Sequence, residues 1–145
     1  MLEQAAIAAR IPHQGRMCLL DSVLTWDEAS IHCRATSHRA ADNPLRTADR
    51  LGAACGIEYA AQAMAVHGAL LAPAKAAPRP GYLASVRSVE LAVERLDDLA
   101  QALDVYAERL SGDANNVLYE FRLEHAGALL LHGRAAVLLA ATEGA

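Results

Sequence analysis

Glu58 is the residue whose surroundings most strongly indicate chemistry. It lies in the run GIEYAAQAMA, residues 56–65, as the one carboxylate in a stretch of small and apolar side chains. An unpaired charge in such surroundings costs several kcal/mol, so a buried carboxylate is neutral, partnered or used in a reaction. We therefore expect Glu58 to be buried and to mark a functional site, where a carboxyl group can act as a general acid or base.

The chain around Glu58 predicts one long helix over residues 51–71, which lacks proline and is rich in Ala, Met and Leu. Because this helix has hardly any charged surface after Glu58, other elements must enclose it. Gln62 follows Glu58 by one turn, and Cys55 precedes it by one turn, so both can face the same site. The thiol of Cys55 lacks the cationic neighbour that would make it a nucleophile.

Strand patterns occupy most of the remaining chain. Two short strands with a turn at 26–29 and a polar loop at 38–50 precede the helix, and a breaker at 72–81 that we expect to be a mobile connector follows it. The predicted strands are 17–25, 30–37, 82–93, 101–111, 117–124 and 129–139. Together these elements predict an α+β fold of one domain, residues 1–145, in which a curved antiparallel sheet wraps around the central helix.

Composition excludes several classes of function. Thirteen basic and seventeen acidic side chains give a net charge of -4 without a basic stripe, so no nucleic-acid partner is expected. The chain has neither a signal-peptide pattern nor an apolar run of about 18 residues, so we expect a cytoplasmic protein that does not enter a membrane. The three cysteines, Cys18, Cys33 and Cys55, predict neither a disulfide framework nor a zinc site, and no metal is expected.

Two motifs in order resemble those of a known family. The run IPHQGRMCLLD, residues 11–21, is similar to the opening segment of the hot-dog fold dehydratases, which remove water from 3-hydroxyacyl groups carried on acyl carrier protein. The run EYAAQ, residues 58–62, resembles the central helix motif of the same family. The chain looks closest to the dehydratase-like proteins of aryl polyene and related type II polyketide pathways.

The resemblance implies a mechanism and partners. In this family a His takes the proton α to the thioester carbonyl, a helix carboxyl group protonates the departing hydroxyl, and a backbone amide near the helix start polarises the thioester oxygen. Glu58 matches the carboxyl position, and Gln62 would hold its orientation. No cofactor is implied, since the phosphopantetheine of acyl carrier protein carries the substrate. The His and the carboxyl group come from different chains, which implies a homodimer or a heterodimer with a related subunit.

The chain departs from the family at two places. The family His lies fourteen residues before the carboxyl residue, where this chain has Pro44. The family Pro-Gly at the helix start is replaced by Gly52 and Ala53, which with Cys55 and Gln62 remain the candidate substrate-binding residues. The expected acid is therefore present, and the expected base is missing.

Other residues could replace the missing groups. His38 could cross from the loop as the base or be a solvated loop residue, and His13 could be the base or a structural anchor of the opening segment. His67 is most simply a cation that caps the helix end. Arg46 and Arg50 could attract the phosphate or the acidic surface of a carrier protein, or be solvated loop charges.

Three functions remain open from the sequence. The first is a dehydratase-like lyase acting on 3-hydroxyacyl thioesters in fatty acid, polyene or polyketide synthesis. The second is a non-catalytic hot-dog subunit that pairs with a catalytic dehydratase and stabilises it. The third is a hot-dog acyl thioesterase, in which a helix carboxylate activates water; the motif at residues 11–21 favours the dehydratase lineage over this one.

Overall fold

A computed structural model of the protein describes residues 1–72, 81–113 and 115–139. Within these ranges all strand pairs are antiparallel, and they form one seven-stranded sheet in the order β1-β2-β3-β5-β6-β7-β4. The elements in chain order are β1 Leu2–Glu3, α1 Gln4–Ala8, β2 Ser22–Trp26, β3 Ser30–Ala35, α2 Gly56–Leu71, β4 Gly81–Leu91, β5 Leu103–Gly112, β6 Asn116–His125 and β7 Ala128–Leu139.

The predicted wrapping of a sheet around one long helix is confirmed. Helix α2 lies against β3, β5 and β6. The inward positions of β6 follow the predicted alternation, since the side chains at 117, 119, 121 and 123 are all buried. Helix α2 approaches the sheet closely at Gly56, where a β-carbon would lie 2.8 Å from a methyl group of Leu131. A glycine at this position therefore leaves room for the side chains of Leu131 and Leu123.

The helix starts later than residue 51, where the sequence places it. A short 3-10 turn, Ala53–Cys55, precedes the α-helix, which begins at Gly56. Just before this turn and at its first residue, the backbone is bonded to the segment before β5. The Leu51 amide donates to Asp97 Oδ1 at 2.9 Å, and the Ala53 amide donates to the Glu94 carbonyl at 3.0 Å. These tertiary bonds hold the chain extended, which the helical propensity of single residues does not reveal.

Two other boundaries differ from the prediction. Residues 17–21 are not strand, because the backbone makes a 3-10 turn at Gly15–Met17 before β2 begins at Ser22. The short elements β1 and α1 at the N-terminus were not predicted.

The predicted connector lies mostly at 73–80, outside the described residues. Of the helices in the described part of the chain, none has the length and apolar character needed to cross a membrane.

Candidate active site

His13 and Glu58 form the central contact of the site. His13 Nε2 lies 3.2 Å from Glu58 Oε1, with 27% of the His13 side chain and 35% of the Glu58 side chain exposed. The expectation that Glu58 is buried is therefore wrong for the single chain: its carboxylate lies at the surface of a cavity and has an imidazole partner. The pair also forms within one chain, whereas the resemblance implied that the His and the carboxyl group come from different subunits.

The position of His13 depends on the segment that connects α1 to β2. Gln62, one turn after Glu58 on α2, is fully buried and bonds to this segment twice. Its Oε1 accepts from the Leu19 amide at 2.9 Å, and its Nε2 donates to the Met17 carbonyl at 2.6 Å. With both ends of its amide committed, Gln62 does not orient Glu58 as predicted. It fixes the backbone that carries His13 instead.

The other nitrogen of His13 lacks a fixed partner. Its Nδ1 is buried and has no hydrogen-bond partner among the described residues. Among the described residues, the contact of Nε2 with Glu58 is therefore what can influence which ring nitrogen carries the proton. The imidazole can accordingly accept or donate a proton at Nε2, the atom that faces Glu58.

A cavity of about 730 Å³ begins at this pair and follows α2. One face of the helix lines it from Glu58 through Ala61, Ala65 and Gly68 to Ala72. At 1.5 Å per residue, the wall from Glu58 to Gly68 is about 15 Å long. The lining is mainly apolar, which suits an extended hydrocarbon chain with polar groups at defined points.

Polar side chains occur at both ends of this cavity. Arg10 lies at the end with His13 and donates a hydrogen bond of 2.8 Å to the Ala6 carbonyl. Arg109 and Tyr119 lie at the other end, as register partners on β5 and β6. These three residues were not identifiable from the sequence as site residues. The alternation in β6 indicated only that Tyr119 faces inward.

His67 is buried and is not the capping cation that the sequence suggested. Its Nε2 lies 2.7 Å from the Asp27 carbonyl, which can only accept, so this nitrogen carries the proton. Its Nδ1 then accepts from the Tyr119 hydroxyl at 2.7 Å. Burial lowers the pKa of His67 below its ordinary value, so the ring is held neutral.

His38 is placed away from the Glu58 cavity. It is fully buried, and its Nε2 donates to the Leu99 carbonyl at 3.0 Å. Burial lowers the pKa of His38 as well. It is therefore neither the solvated loop residue that one interpretation assumed nor a neighbour of Glu58. Its position makes it a structural link between the loop after β3 and the segment before β5.

The remaining candidate residues also lie outside the cavity lining. The amide of Ala53 donates to the Glu94 carbonyl and is not free for a thioester, and Gly52, which pairs with Arg95 in an isolated bridge, does not line the cavity. The Cys55 thiol faces the Leu45 carbonyl at 3.8 Å. Arg46 turns inward and donates to the Asp49 and His38 carbonyls at 3.0 and 3.3 Å.

The described residues contain no group of three or more His, Cys, Asp or Glu side chains that could hold a metal ion. They do contain other His–carboxylate contacts, of which His132 Nε2–Glu90 Oε2 at 3.1 Å is the most similar to the His13–Glu58 pair. That pair joins two strands at the surface and does not line the Glu58 cavity. It therefore offers a natural reference for the chemistry of the first pair.

The fold and the cavity define a hot-dog protein, and comparison with known proteins agrees. The structure is similar to the dehydratase heterocomplex ApeI:P from Xenorhabdus doucetiae, with a TM-score of 0.82, 24% identity, and coverage of 94% of this chain and 91% of that one. It is also similar to a thioesterase from Pseudomonas aeruginosa, with a TM-score of 0.62, 10% identity, and coverage of 97% and 96%. A hypothetical thioesterase with coenzyme A from Streptococcus pneumoniae gives a TM-score of 0.61, 7% identity, and coverage of 83% and 86%.

The family is defined by sequence as well. The model of the ApeP-like family, described as ApeP dehydratase, matches residues 5–143. The chain therefore belongs to the ApeP-like dehydratase family, which confirms the resemblance found in the two motifs. A search of curated protein sequences gave no significant match.

Proposed function

We propose that the protein removes water from 3-hydroxyacyl thioesters carried by acyl carrier protein, with Glu58 as general acid and His13 as general base. The observation that carries this proposal is the 3.2 Å contact between His13 Nε2 and Glu58 Oε1 at one end of a mainly apolar cavity. Membership of the ApeP-like dehydratase family supports the reaction class. The chemistry belongs to fatty acid, polyene or polyketide synthesis.

The pair has the proton count that dehydration needs. A neutral imidazole beside a carboxylic acid holds the same single mobile proton as an imidazolium beside a carboxylate. In the proposed reaction His13 takes the proton from C2 of the substrate while Glu58 protonates the hydroxyl at C3. The C3–O bond breaks, the C2=C3 bond forms, and water leaves. Transfer of the proton from His13 back to Glu58 across their contact restores the starting pair.

The carrier-bound substrate would enter from the His13 end. Arg10 lines the cavity there and is the cation that we propose for the phosphate of the phosphopantetheine arm or the acidic surface of the carrier. This replaces the role that the sequence suggested for Arg46, whose guanidinium is bonded to backbone carbonyls of its own loop. The acyl chain would then lie along α2 between Ala61 and Gly68.

We further propose that the chain works with a second hot-dog subunit. Strand β4 is at the edge of the sheet, and it exposes Tyr82 at 61% and Leu83 at 42%, which a monomer in water leaves unburied at a cost. The similarity to a heterocomplex favours a related subunit as the partner, with a second copy as the alternative. Both Tyr82 and Leu83 line the cavity, so the partner would also close one of its walls.

A second candidate function is a non-catalytic subunit that stabilises a catalytic dehydratase. The specific observation in its favour is Pro44, which occupies the place of the family His. In this case the partner would supply the chemistry, and the His13–Glu58 contact would only shape the pocket. Thioester hydrolysis is the third candidate and follows from the fold shared with thioesterases.

The deciding experiment is turnover of a 3-hydroxyacyl-carrier substrate by the purified chain, with the enoyl product and the free thiol measured separately. The enoyl product supports the dehydratase, and free carrier thiol with intact 3-hydroxy acid supports the thioesterase. Glu58→Gln should reduce dehydration by about 10²–10⁴-fold, the usual contribution of a general acid or base. Glu90→Gln, in the surface pair with His132, is the matched control and should leave turnover unchanged.

The same assay distinguishes the second candidate. Turnover that appears only after a related dehydratase is added, and that survives Glu58→Ala, would support the helper subunit and contradict the proposed roles of Glu58 and His13. Full turnover by the isolated chain would exclude the helper role.

A further inference from the structure

The side chain of Arg109 lies on the face of the sheet that is turned toward α2. It is the register partner of Tyr119, whose side chain is 3% exposed and lies toward α2, and both residues line the Glu58 cavity. No carboxylate among the described residues forms an ion pair with Arg109. Arg109 is only partly buried, and the nearby carboxylate of Asp113, which lines the same cavity, accepts from the amides of Asn115 and Asn116. The guanidinium is therefore left for solvent or for the anion of a ligand.

The absence of a side chain at Gly112 leaves space for the guanidinium of Arg109. A β-carbon built on Gly112 would lie 2.7 Å from Nη2 and 3.1 Å from Nε of Arg109, so the bare backbone of Gly112 is what the guanidinium packs over. Gly112 pairs with Val117 on β6, one inward position before Tyr119. The side chain of Arg109 therefore packs at the end of β5, beside the cavity.

Arg109 is also the uncommitted donor at this end of the cavity. The Tyr119 hydroxyl gives its proton to His67 Nδ1 at 2.7 Å, because His67 Nε2 already donates to the Asp27 carbonyl. The described residues give the guanidinium no hydrogen-bond acceptor of its own. His67 lies nine residues after Glu58 on α2, which puts Tyr119 and Arg109 about 13 Å along the helix from the acid.

We infer that Arg109 determines substrate specificity, by binding a hydrogen-bond-accepting group, best a carboxylate, at the far end of the acyl chain. This inference rests on the proposed function for the identity of the ligand as an acyl chain. A guanidinium presents two parallel N–H donors, a geometry that a carboxylate matches and a terminal methyl group does not. The cavity would then bind its substrate at both ends, with the reacting carbons beside Glu58 and the end of the acyl chain beside Arg109.

The test compares two saturated acyl-pantetheine ligands of equal length, one ending in methyl and one in carboxylate. Binding to the purified full chain is measured by calorimetry, so the result does not depend on turnover. We expect the carboxylate ligand to bind about 10- to 100-fold more tightly than the methyl ligand, the range for hydrogen bonds to charged groups. Arg109→Met should abolish that preference without weakening the methyl ligand, and Arg109→Lys should keep only part of it.

Arg134→Met is the matched control, since Arg134 is exposed on β7 and does not line the cavity. The Arg134→Met variant should prefer the carboxylate ligand over the methyl ligand by the same factor as the wild type. Equal binding of the two ligands by the wild type, an unchanged preference in Arg109→Met, or binding of neither ligand would each overturn the inference. If the wild type prefers the carboxylate ligand but does not dehydrate the 3-hydroxyacyl substrate, the result would count against the proposed reaction and not against this inference.

Discussion

The side chain of Gln62 and the backbone amide of Leu19 are joined by a buried hydrogen bond of 2.9 Å, and the other end of the same side chain holds the Met17 carbonyl at 2.6 Å. One residue of α2 thus fixes the segment that brings His13 to Glu58. Among the described residues Gln62 has no hydrogen bond to either side chain of that pair, so its contribution to activity acts through the position of the segment. It is a positioning residue.

Gln62→Ala should therefore lower activity and stability together. The substitution leaves the buried Leu19 amide without its partner, at a cost of about 1–3 kcal/mol in the free energy of unfolding. It also frees the partly buried Met17 carbonyl, which adds less because water can reach it. With the segment loosened, kcat should fall while KM for the carrier substrate changes little.

The readout specific to positioning is the His13–Glu58 contact itself. The imidazole NMR signals of His13 should lose their response to Glu58→Gln once Gln62 is replaced. Gln101→Ala, at an exposed Gln, is the control for both measurements. An unaltered kcat in a folded Gln62→Ala protein would contradict the positioning role.

The His13–Glu58 pair should behave as one unit in kinetics. If the two groups exchange one proton during turnover, either single substitution already disables the exchange. His13→Gln and Glu58→Gln should each reduce kcat by about 10²–10⁴-fold, and the double variant should lose little more than the worse single variant. Single-turnover rates of all three variants are the measurement. Losses that multiply in the double variant would indicate that the residues act independently.

The central helix and the sheet could be predicted because their signals are local. The alternation at 117–123 and the proline-free run before residue 72 are properties of neighbouring residues, and both predict the elements observed. Glu58 stands out for the same reason, as a charge in an apolar run.

The sequence offered His13 as one of two candidate bases, but it could not show that His13, and not His38, is the partner of Glu58. The path of residues 9–21 is set by bonds from Gln62 and by the turn at Gly15–Met17, and these depend on where α2 lies. Arg109 was missed for a related reason. The alternation in 101–111 is imperfect, so only its register opposite Tyr119 reveals that it faces inward.

His67 should make the protein sensitive to mild acid. Its pKa is lowered from 6.5 chiefly by burial, so the unfolded chain takes up a proton that the folded chain resists. The stability contributed by neutral His67 is therefore complete above about pH 6.5 and is lost as the pH falls below that value. Urea unfolding between pH 7.5 and pH 5, taken as a series at about half-unit steps, measures this loss.

His67→Gln keeps a donor for the Asp27 carbonyl and an acceptor for the Tyr119 hydroxyl, but it does not titrate. Its unfolding free energy should fall less steeply with decreasing pH than that of the wild type, with His38 accounting for part of what remains. Gln101→Ala, at an exposed residue that does not titrate, should leave the wild-type slope in place. The same slope in His67→Gln and the wild type would contradict the assignment.

Two glycines of α2 should respond in opposite directions to alanine. At Gly68 a β-carbon meets nothing within 4 Å, so Gly68→Ala should raise the free energy of unfolding by about 0.5–1 kcal/mol through reduced backbone entropy. At Gly56 the β-carbon would lie 2.8 Å from Leu131 and 3.1 Å from Leu123, both buried, so Gly56→Ala should cost about 1–3 kcal/mol. Because Gly68 lines the cavity, its alanine variant should also bind acyl-pantetheine more weakly than the wild type despite being more stable. Tighter binding in that variant would mean that the acyl chain does not lie along this face of the helix.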